Sequence, residues 1–373
     1  MSAPAVRGRL QWSLVVPILA LVVLVFAWIR HDHWAILAVV AAVLIGAVLG
    51  AVHHAEVVAH KVGEPFGSLI LAIAVTVIEV GLIVMLMTSG GDSTSTYARD
   101  TVFAAVMITL NGIVGLSLMV GALKHGLVSF NAAGTGSAVA TVIALAGLTL
   151  VLPRFTTSAQ GPQYSTSQLV FAAIASLALC VAFLFTQTVR HRDFFLPVTS
   201  DEHGRMTGLV DLDKDGHADP PSAGEATLSL ALLLVSLVAV VGLAKVLSPT
   251  IESTVKSLGF PYAVVGVVIA LLVLAPESIA AVRNASRDRV QTSLNLAYGS
   301  AMASIGLTIP ALAVAMIWLT GPLELGLEPT QIVLLVISVF VTGLTVVQGR
   351  VYALQGFVHL VLLAAFLFLS MQP

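Results

Sequence analysis

The chain of 373 residues is 58% hydrophobic and only 10% charged, whereas about a quarter of the residues of a soluble domain carry a charge. This composition excludes a water-soluble protein, and a formal net charge of -2 provides no broad basic surface for a nucleic acid. The single cysteine, Cys180, excludes an internal disulfide, and its apolar surroundings indicate a packing residue.

The first apolar run, about 12–30, follows Arg7 and Arg9 and could be mistaken for a secretory signal. It is longer than the apolar core of a signal peptide and ends at Trp28-Ile-Arg-His-Asp instead of a small-residue cleavage site. We therefore expect a retained first transmembrane helix and a mature chain that begins near Met1.

Ten further apolar runs are long enough to cross a membrane as helices, which takes roughly 20 residues each. The strands of a membrane β-barrel would alternate apolar and polar residues, and these runs do not. The sequence therefore predicts an all-α polytopic membrane protein with about eleven transmembrane helices. The further runs are 34–56, 66–88, 101–123, 135–152, 168–189, 226–247, 261–282, 291–319, 330–348 and 350–371.

The distribution of Lys and Arg predicts a cytoplasmic N-terminus, because positive charges collect on the cytoplasmic side of a membrane. In that orientation only Arg30, Arg99, Arg154, Lys245 and Lys256, of 17 Lys and Arg residues, lie outside. An odd number of spans then places the C-terminus outside. Because the sequence carries no organelle address, we expect a multi-pass protein of a bacterial inner membrane.

The longest polar stretch divides the chain into two similar halves. We predict an extra N-terminal helix at 1–33, a first five-helix repeat at 34–190, an acidic cytoplasmic loop at 191–225 and a second repeat at 226–373. Because five spans separate the two copies, they enter the membrane from opposite sides, as the inverted repeats of secondary transporters do.

A shared motif supports the repeat. Glu56-x6-Gly63-x-Pro65 precedes the third span, and Glu252-x6-Gly259-x-Pro261 precedes the eighth. Each proline opens an apolar helix that contains one acid, and the two acids stand at slightly different distances from their prolines.

The two acids are Glu79 and Glu277, and no Lys or Arg lies at equivalent depth in their helices. A carboxylate at the centre of a membrane helix costs about 2.5–3.5 kcal/mol to insert, so such residues are usually functional. Two carboxylates supply the charge that Ca²⁺ requires, and protons can neutralise them once the metal leaves. Such a site holds a divalent cation or protons in turn, which is the condition for exchange.

Neutral oxygens near these acids could complete the shell of about 6–8 oxygens that Ca²⁺ takes. Pro276 also frees a backbone carbonyl four residues before it. Small residues favour close helix packing as well, which is the alternative explanation for Ser304. The candidate oxygen ligands are Thr76, Asn111, Ser300 and Ser304.

Four segments of the two halves carry more specific sequence: Gly63-Glu-Pro-Phe-Gly-Ser-Leu-Ile-Leu through Glu79, Leu110-Asn-Gly-Ile-Val-Gly, Leu274-Ala-Pro-Glu-Ser-Ile-Ala-Ala-Val-Arg, and Tyr298-Gly-Ser-Ala through Pro310. Together they resemble the two α-repeats of the bacterial calcium/proton antiporters in the cation/calcium exchanger superfamily, and the resemblance covers nearly the whole chain. It implies that Glu79 and Glu277 are the exchanging carboxylates and that two helix pairs slide or rock about them. We expect no cofactor.

The chain departs from that family at one point, because Ala74-Val75-Thr76 stands where better-studied relatives carry a Gly-Asn pair before the first acid. Some bacterial members of this type are associated with sodium or potassium exchange. Na⁺/H⁺ or K⁺/H⁺ antiport through the same carboxylates therefore remains an alternative to Ca²⁺/H⁺ antiport.

Polar residues at the cytoplasmic end of the second span could attract cations, sense pH or simply face water. They do not form the His-Glu-x-x-His motif of a zinc site. Glu225, at the start of the seventh span, could belong to a cation funnel or favour the helix dipole. The candidate cation-access residues are Glu56, His60, Glu64 and Glu225, with His53 and His54 beside them.

The central loop contains a partial calcium motif. Residues 211–216 match the opening of an EF-hand loop and Asp219 fits its ninth position, but Ser222 replaces the bidentate Glu of the twelfth. The loop is therefore either a regulatory calcium site or a solvated acidic segment.

The sequence thus predicts a transporter whose partners are inorganic cations and the lipid bilayer. An intramembrane metalloenzyme would need clustered histidines at membrane depth, and the histidines here are few and peripheral. A channel suits paired titratable acids in inverted repeats less well than a carrier does.

Overall fold

The computed structural model describes residues 12–29, 33–63, 66–88, 95–196, 198–200, 206–209, 221–319 and 321–373. Within these ranges, eleven helices are long and apolar enough to cross a membrane, which confirms the predicted all-α architecture. The helices are α1 (Trp12–Ile29), α2 (Trp34–Val62), α3 (Phe66–Thr88), α4 (Tyr97–His125), α5 (Ala132–Arg154), α6 (Thr166–Arg190), α7 (Ala223–Ser257), α8 (Ala263–Ala285), α9 (Val290–Ala315), α10 (Pro329–Val347) and α11 (Ala353–Met371).

The helices form two five-helix halves, α2 to α6 and α7 to α11, preceded by α1. Five spans separate the start of one half from the start of the other, so the halves cross the membrane in opposite directions. Spatial contacts group the chain differently: Met1–Ile78 with Asp219–Thr250 form one compact unit, and Glu79–Ala218 with Ile251–Pro373 form a second. Each half contributes to both units. The division of the chain at 33, 190 and 225 stays a prediction.

Two short antiparallel ribbons lie in the loops. Strand β1 (Val128–Ser129) pairs with β4 (Arg350–Val351), which joins the loop after α4 to the loop after α10. Strands β2 (Val198–Ser200) and β3 (Met206–Leu209) form a hairpin in the central loop.

A buried histidine of α2 makes a hydrogen bond to the extra first helix, α1. Pro17 has no backbone N–H, so the carbonyl of Ser13 four residues earlier loses its helical partner. The Nε2–H of His54 donates to that carbonyl at 2.8 Å, and only 2% of His54 is exposed. Gly46 and Gly50 of α2 face Val16 and Pro17. His54 of α2 thus supplies the hydrogen bond that Pro17 removes from α1, which is a structural role.

Both glycines of the repeated motif have a positive φ angle. Gly63 has φ +74° and Gly259 has φ +71°, a conformation that glycine adopts without the steric cost of a Cβ atom. Gly63 N–H donates to the Ala59 carbonyl and Gly259 N–H to the Lys256 carbonyl, which satisfies carbonyls at the ends of α2 and α7. The motif predicted from sequence therefore ends a helix at a positive-φ glycine in both halves, with a different hydrogen-bond pattern at each end.

These glycine stops explain two corrections to the predicted helix ends. Helix α2 continues to Val62 and α7 to Ser257, beyond the ends predicted at 56 and 247. A hydropathy window ends where polar residues begin, whereas the helical hydrogen bonds continue to the positive-φ glycine. Glu56 and Glu252 therefore lie inside the last turns of their helices.

Helix α4 contains a π-helical segment that the sequence did not predict. It runs from Ile108 to Ile113, between α-helical segments, and includes Asn111 and Gly112. Such π-helical turns insert one extra residue into a helix and are frequent at functional sites. Two further π-helical segments, Gly147–Val151 and Thr186–Arg190, lie in the last turns of α5 and α6, and the first of them buries Thr149.

Close backbone crossings organise the second unit. A Cβ atom at Gly356 of α11 would lie 2.5 Å from the Met119 nitrogen and 2.8 Å from the Gly115 oxygen of α4. Helix α9 packs against α4, α5, α6 and α8. Gly306 of α9 leaves room for Cys180 of α6, because a Cβ at 306 would lie 2.7 Å from the cysteine Cβ. Cys180 is 2% exposed, as expected of a packing residue.

Candidate cation-binding site

Glu79 lies in α3 and is only 3% exposed. Its Oε1 accepts a hydrogen bond from the Ser304 hydroxyl of α9 at 2.6 Å. That length lies within the usual range of an O–H···O hydrogen bond. A predicted carboxylate from the first half and a predicted hydroxyl from the second half, 225 residues apart, therefore meet in one buried contact.

Thr308 adds a second hydroxyl beside the same carboxylate. It is fully buried on α9, and its Oγ1 makes no hydrogen bond of ordinary geometry to the residues that the structure describes. Sequence reasoning missed this residue. Thr308 stands four residues after Ser304, the spacing that puts two side chains on one helix face, and that spacing is the signal by which the sequence could have indicated it.

Glu277 lies in α8 and is 7% exposed. The preceding Pro276 leaves the Leu272 carbonyl without its usual helical donor, so a backbone oxygen is available one turn earlier in the helix. Helix α8 packs against α9 and α4. Helix α9 therefore carries the hydroxyl that contacts Glu79 and also packs on the helix of Glu277.

Asn111 is fully buried in the π-helical segment of α4. Its Nδ2 donates to the Ser338 hydroxyl of α10 at 2.9 Å. Its Oδ1 lies 3.2 Å from Nδ1 of His359 in α11. Both polar ends of this predicted ligand are thus engaged by neighbouring helices, and sequence reasoning had singled out neither Ser338 nor His359.

The two remaining predicted oxygens, Ser300 and Thr76, differ in burial. Ser300 is half-buried on α9, one turn before Ser304. Thr76 is buried on α3, one turn before Glu79, and its Oγ1 has no hydrogen-bond partner among the described residues.

The candidate access residues lie apart from this contact in sequence and are mostly exposed. Glu56 and His60 are exposed on the last turns of α2. Glu225 is exposed, and its carboxylate accepts hydrogen bonds from the Ser222 nitrogen at 2.8 Å and hydroxyl at 2.9 Å, as in a helix capping box. Glu64 and the EF-hand-like run 211–219 lie outside the described residues.

No group of three or more His, Cys, Asp or Glu side chains among the described residues is arranged to hold a metal ion. A cation at the buried carboxylates would therefore take most of its oxygens from hydroxyls, carbonyls or water, as hard cations do. Weak, exchangeable coordination of this kind suits an ion that must leave again.

Comparison with known proteins gives a consistent family. The family described as sodium/calcium exchanger protein matches residues 32–189 and 228–372. The chain is 42% identical over 369 residues to a Sinorhizobium fredii protein named "Putative ionic transporter y4hA", with 97% of this chain and 96% of that protein covered. It is 34% identical over 361 residues to the Escherichia coli sodium-potassium/proton antiporter ChaA, with 96% and 95% covered.

Among solved structures, native YfkE superposes with a TM-score of 0.72 at 16% identity, covering 97% of this chain and 100% of YfkE. The H⁺/Ca²⁺ exchanger CAX superposes with a TM-score of 0.63 at 13% identity, covering 96% and 92%. At these identities the similarity concerns the fold alone.

Proposed function

Since this chain belongs to the sodium/calcium exchanger protein family, we propose that this transporter exchanges Ca²⁺ for H⁺ across its membrane, with the carboxylates of Glu79 and Glu277 as the shared site. The observation that carries the proposal is the 2.6 Å contact between Ser304 and Glu79. It joins a hydroxyl of one half to a buried carboxylate of the other. Family and relatives are transporters, so the protein is a carrier and not an enzyme.

The charge balance of two buried carboxylates favours alternate occupancy. One Ca²⁺ or two protons neutralise the pair, whereas two unneutralised carboxylates at membrane depth are costly. The Ser304 hydroxyl donates to Glu79 while that acid is ionised, and its oxygen lone pairs can turn to a cation. Thr308, Ser300 and Thr76 would supply further oxygens of the kind that Ca²⁺ binds.

The proposal extends to the placement of the carrier. With the N-terminus in the cytoplasm of a bacterial inner membrane, an inward proton gradient would drive Ca²⁺ out by alternating access. Glu56 and His60, exposed near the end of α2, would then attract cations to the cytoplasmic mouth. Asn111 would act near the site through the hydrogen bonds that hold it.

A second candidate is Na⁺/H⁺ or K⁺/H⁺ antiport, and a specific observation favours it. The relative that is 34% identical over almost the whole chain is named a sodium-potassium/proton antiporter. The same two carboxylates could serve, but a monovalent ion neutralises only one of them. The other acid would then keep its proton throughout the cycle.

The two candidates predict different results in everted membrane vesicles that carry a proton gradient and a pH-sensitive dye. If the protein is a Ca²⁺/H⁺ antiporter, Ca²⁺ at micromolar concentration dissipates the proton gradient. If it is a Na⁺/H⁺ or K⁺/H⁺ antiporter, Na⁺ or K⁺ alone dissipates it. Vesicles from cells that lack the chain give the background, and no response to any of the three ions above that background would contradict both candidates.

Replacement of Ser304 by alanine is expected to raise the half-saturating concentration of the transported cation about tenfold or more. A hydrogen bond to a charged group contributes about 1.5–3 kcal/mol, and about 1.4 kcal/mol corresponds to a factor of ten. Ser304→Thr keeps the hydroxyl and should stay near the wild-type value. Unchanged half-saturation in Ser304→Ala would remove the hydroxyl from the site.

A further inference from the structure

A fully buried network of neutral polar side chains joins three helices of the second unit. Asn111 of α4, Ser338 of α10 and His359 of α11 are each 0% exposed, and Thr345 of α10 is 4% exposed. Besides the two bonds of Asn111, the Nε2 of His359 lies 3.3 Å from the Thr345 hydroxyl. Both nitrogens of a histidine at membrane depth are thus partnered, and burying such a group is costly enough to indicate a purpose.

The backbone brings the histidine to this place. Helices α4 and α11 cross where Gly115 and Gly356 leave no room for a Cβ atom. Asn111 stands one turn before Gly115, and His359 stands three residues after Gly356. The crossing therefore sets His359 against the π-helical segment of α4, and its ring also lies against the Leu110 carbonyl of that segment.

The hydrogen bonds determine which nitrogen of His359 carries the proton. The Asn111 amide donates through Nδ2 to Ser338, so its Oδ1 is the acceptor that faces Nδ1 of the histidine. Nδ1 must then carry the hydrogen, and Nε2 accepts from the Thr345 hydroxyl. This is a neutral imidazole in one tautomer, fixed by its partners.

The ionisable groups on the helices around this network are few. The helices packed against α11 are α4, α8 and α10, and α10 contains no Asp, Glu, Lys, Arg or His. The ionisable groups of the other two are Tyr97, Arg99, Asp100, Lys124 and His125 near the ends of α4, and Glu277 and Arg283 in α8.

We propose that His359 is a positioning residue of the exchanger: it holds the Asn111 amide in one orientation and thereby fixes the π-helical segment of α4. That segment packs against α8 and α9, the helices of Glu277 and Ser304. This inference rests on the proposed function, because its main test measures cation transport.

The geometry of a π-helical turn explains why the hydrogen bond between His359 and Asn111 matters. A π-helical turn contains one residue more than an α-helical turn. If the segment relaxed to an α-helix, residues on one side of it would rotate by about 100° and shift by about 1.5 Å. The surface that α4 presents to the two site helices would then change, and the cation affinity of the site would fall.

Two variants of the same position separate the two hydrogen bonds. Asparagine carries its amide nitrogen on Cγ, as histidine carries Nδ1, so His359→Asn keeps the donor to Asn111 and removes the titratable ring. Glutamine carries its amide one bond further out, so His359→Gln keeps only the group near Thr345. His125→Asn, an exposed change in the last turn of α4, is the control for loss of a histidine.

We expect His359→Asn to keep a half-saturating cation concentration within about twofold of wild type and an unchanged pH profile of transport. We expect His359→Gln to raise that concentration about tenfold or more, with the maximal rate per folded molecule changed much less. Equal impairment of both variants would overturn the proposal. So would a shifted pH profile in His359→Asn, because the histidine would then carry the transported proton.

A measurement that needs no transport separates this proposal from the proposed function. The ¹⁵N spectrum of protein labelled on its histidine rings should lose the signals of a neutral Nδ1–H imidazole in His359→Asn. Loss of a charged or Nε2–H imidazole would overturn the assignment. If no cation moves protons in the vesicles, the proposed function fails, and the ¹⁵N spectrum together with a lower melting temperature of His359→Gln than of His359→Asn decides whether His359 holds Asn111.

Discussion

Glu79→Gln and Glu277→Gln are each expected to abolish cation-driven proton movement while the chain remains in the membrane. Glutamine has nearly the same shape as glutamate but neither binds a transported proton nor supplies charge to a cation. Removing one charge from a buried ionic arrangement costs about 3–5 kcal/mol, which corresponds to roughly a hundred- to several-thousand-fold loss of cation affinity. The everted-vesicle assay measures the effect.

The control for these variants is Asp193→Asn, which removes an exposed acid of the loop after α6. Its proton movement should match the wild type. The amount of each variant in the membrane and its elution as a single species in detergent show that the chain is inserted and folded. Full activity of either glutamine variant would remove that carboxylate from the mechanism.

Gly356→Ala is expected to prevent stable folding although it adds a single methyl group. The new Cβ would lie 2.5 Å from the Met119 nitrogen and 2.8 Å from the Gly115 oxygen, and these are backbone atoms that cannot rotate away. Overpacking a tight interior usually costs about 1–3 kcal/mol and occasionally more. Because two helices would have to separate, we expect a loss at the upper end of that range or beyond it, visible as a large drop in melting temperature.

Gly343→Ala in α10 provides a matched comparison, since no atom lies within 4 Å of a Cβ at that position. There the change should leave the melting temperature unchanged or raise it, because alanine is favoured over glycine in a helix by about 0.8–1.0 kcal/mol. Similar melting temperatures for the two variants would show that the crossing of α4 and α11 tolerates a side chain.

The number of helices was predictable because each span is a local property of the sequence. Roughly 20 apolar residues in a row indicate a membrane helix whatever the rest of the chain does. The repeat was predictable for the same reason, since Gly63 and Gly259 stand at equal distances from Glu56 and Glu252. The two acids were recognisable from their isolation in apolar helices, and the role proposed for them stays a prediction.

The partners of those residues were harder to predict, because they depend on which helices meet. Ser304 contacts Glu79 across 225 residues of sequence, and Asn111 meets His359 across 248 residues. Neither Ser338 nor His359 belongs to a motif, and histidine in an apolar run has no fixed meaning without its neighbours. The π-helical segment of α4, Ile-Thr-Leu-Asn-Gly-Ile, also matches no sequence motif that predicts a π-helical turn.

The turns at Gly63 and Gly259 bear on how such a protein could arise by gene duplication. A positive-φ glycine is a local feature of the backbone, so it can end a helix whichever face of the bilayer the chain comes from. The orientation of a span depends instead on Lys and Arg in the loops. A duplicated half would therefore keep its helix stops intact when inserted upside down, and its inversion would require changes only among the charged residues that flank the spans.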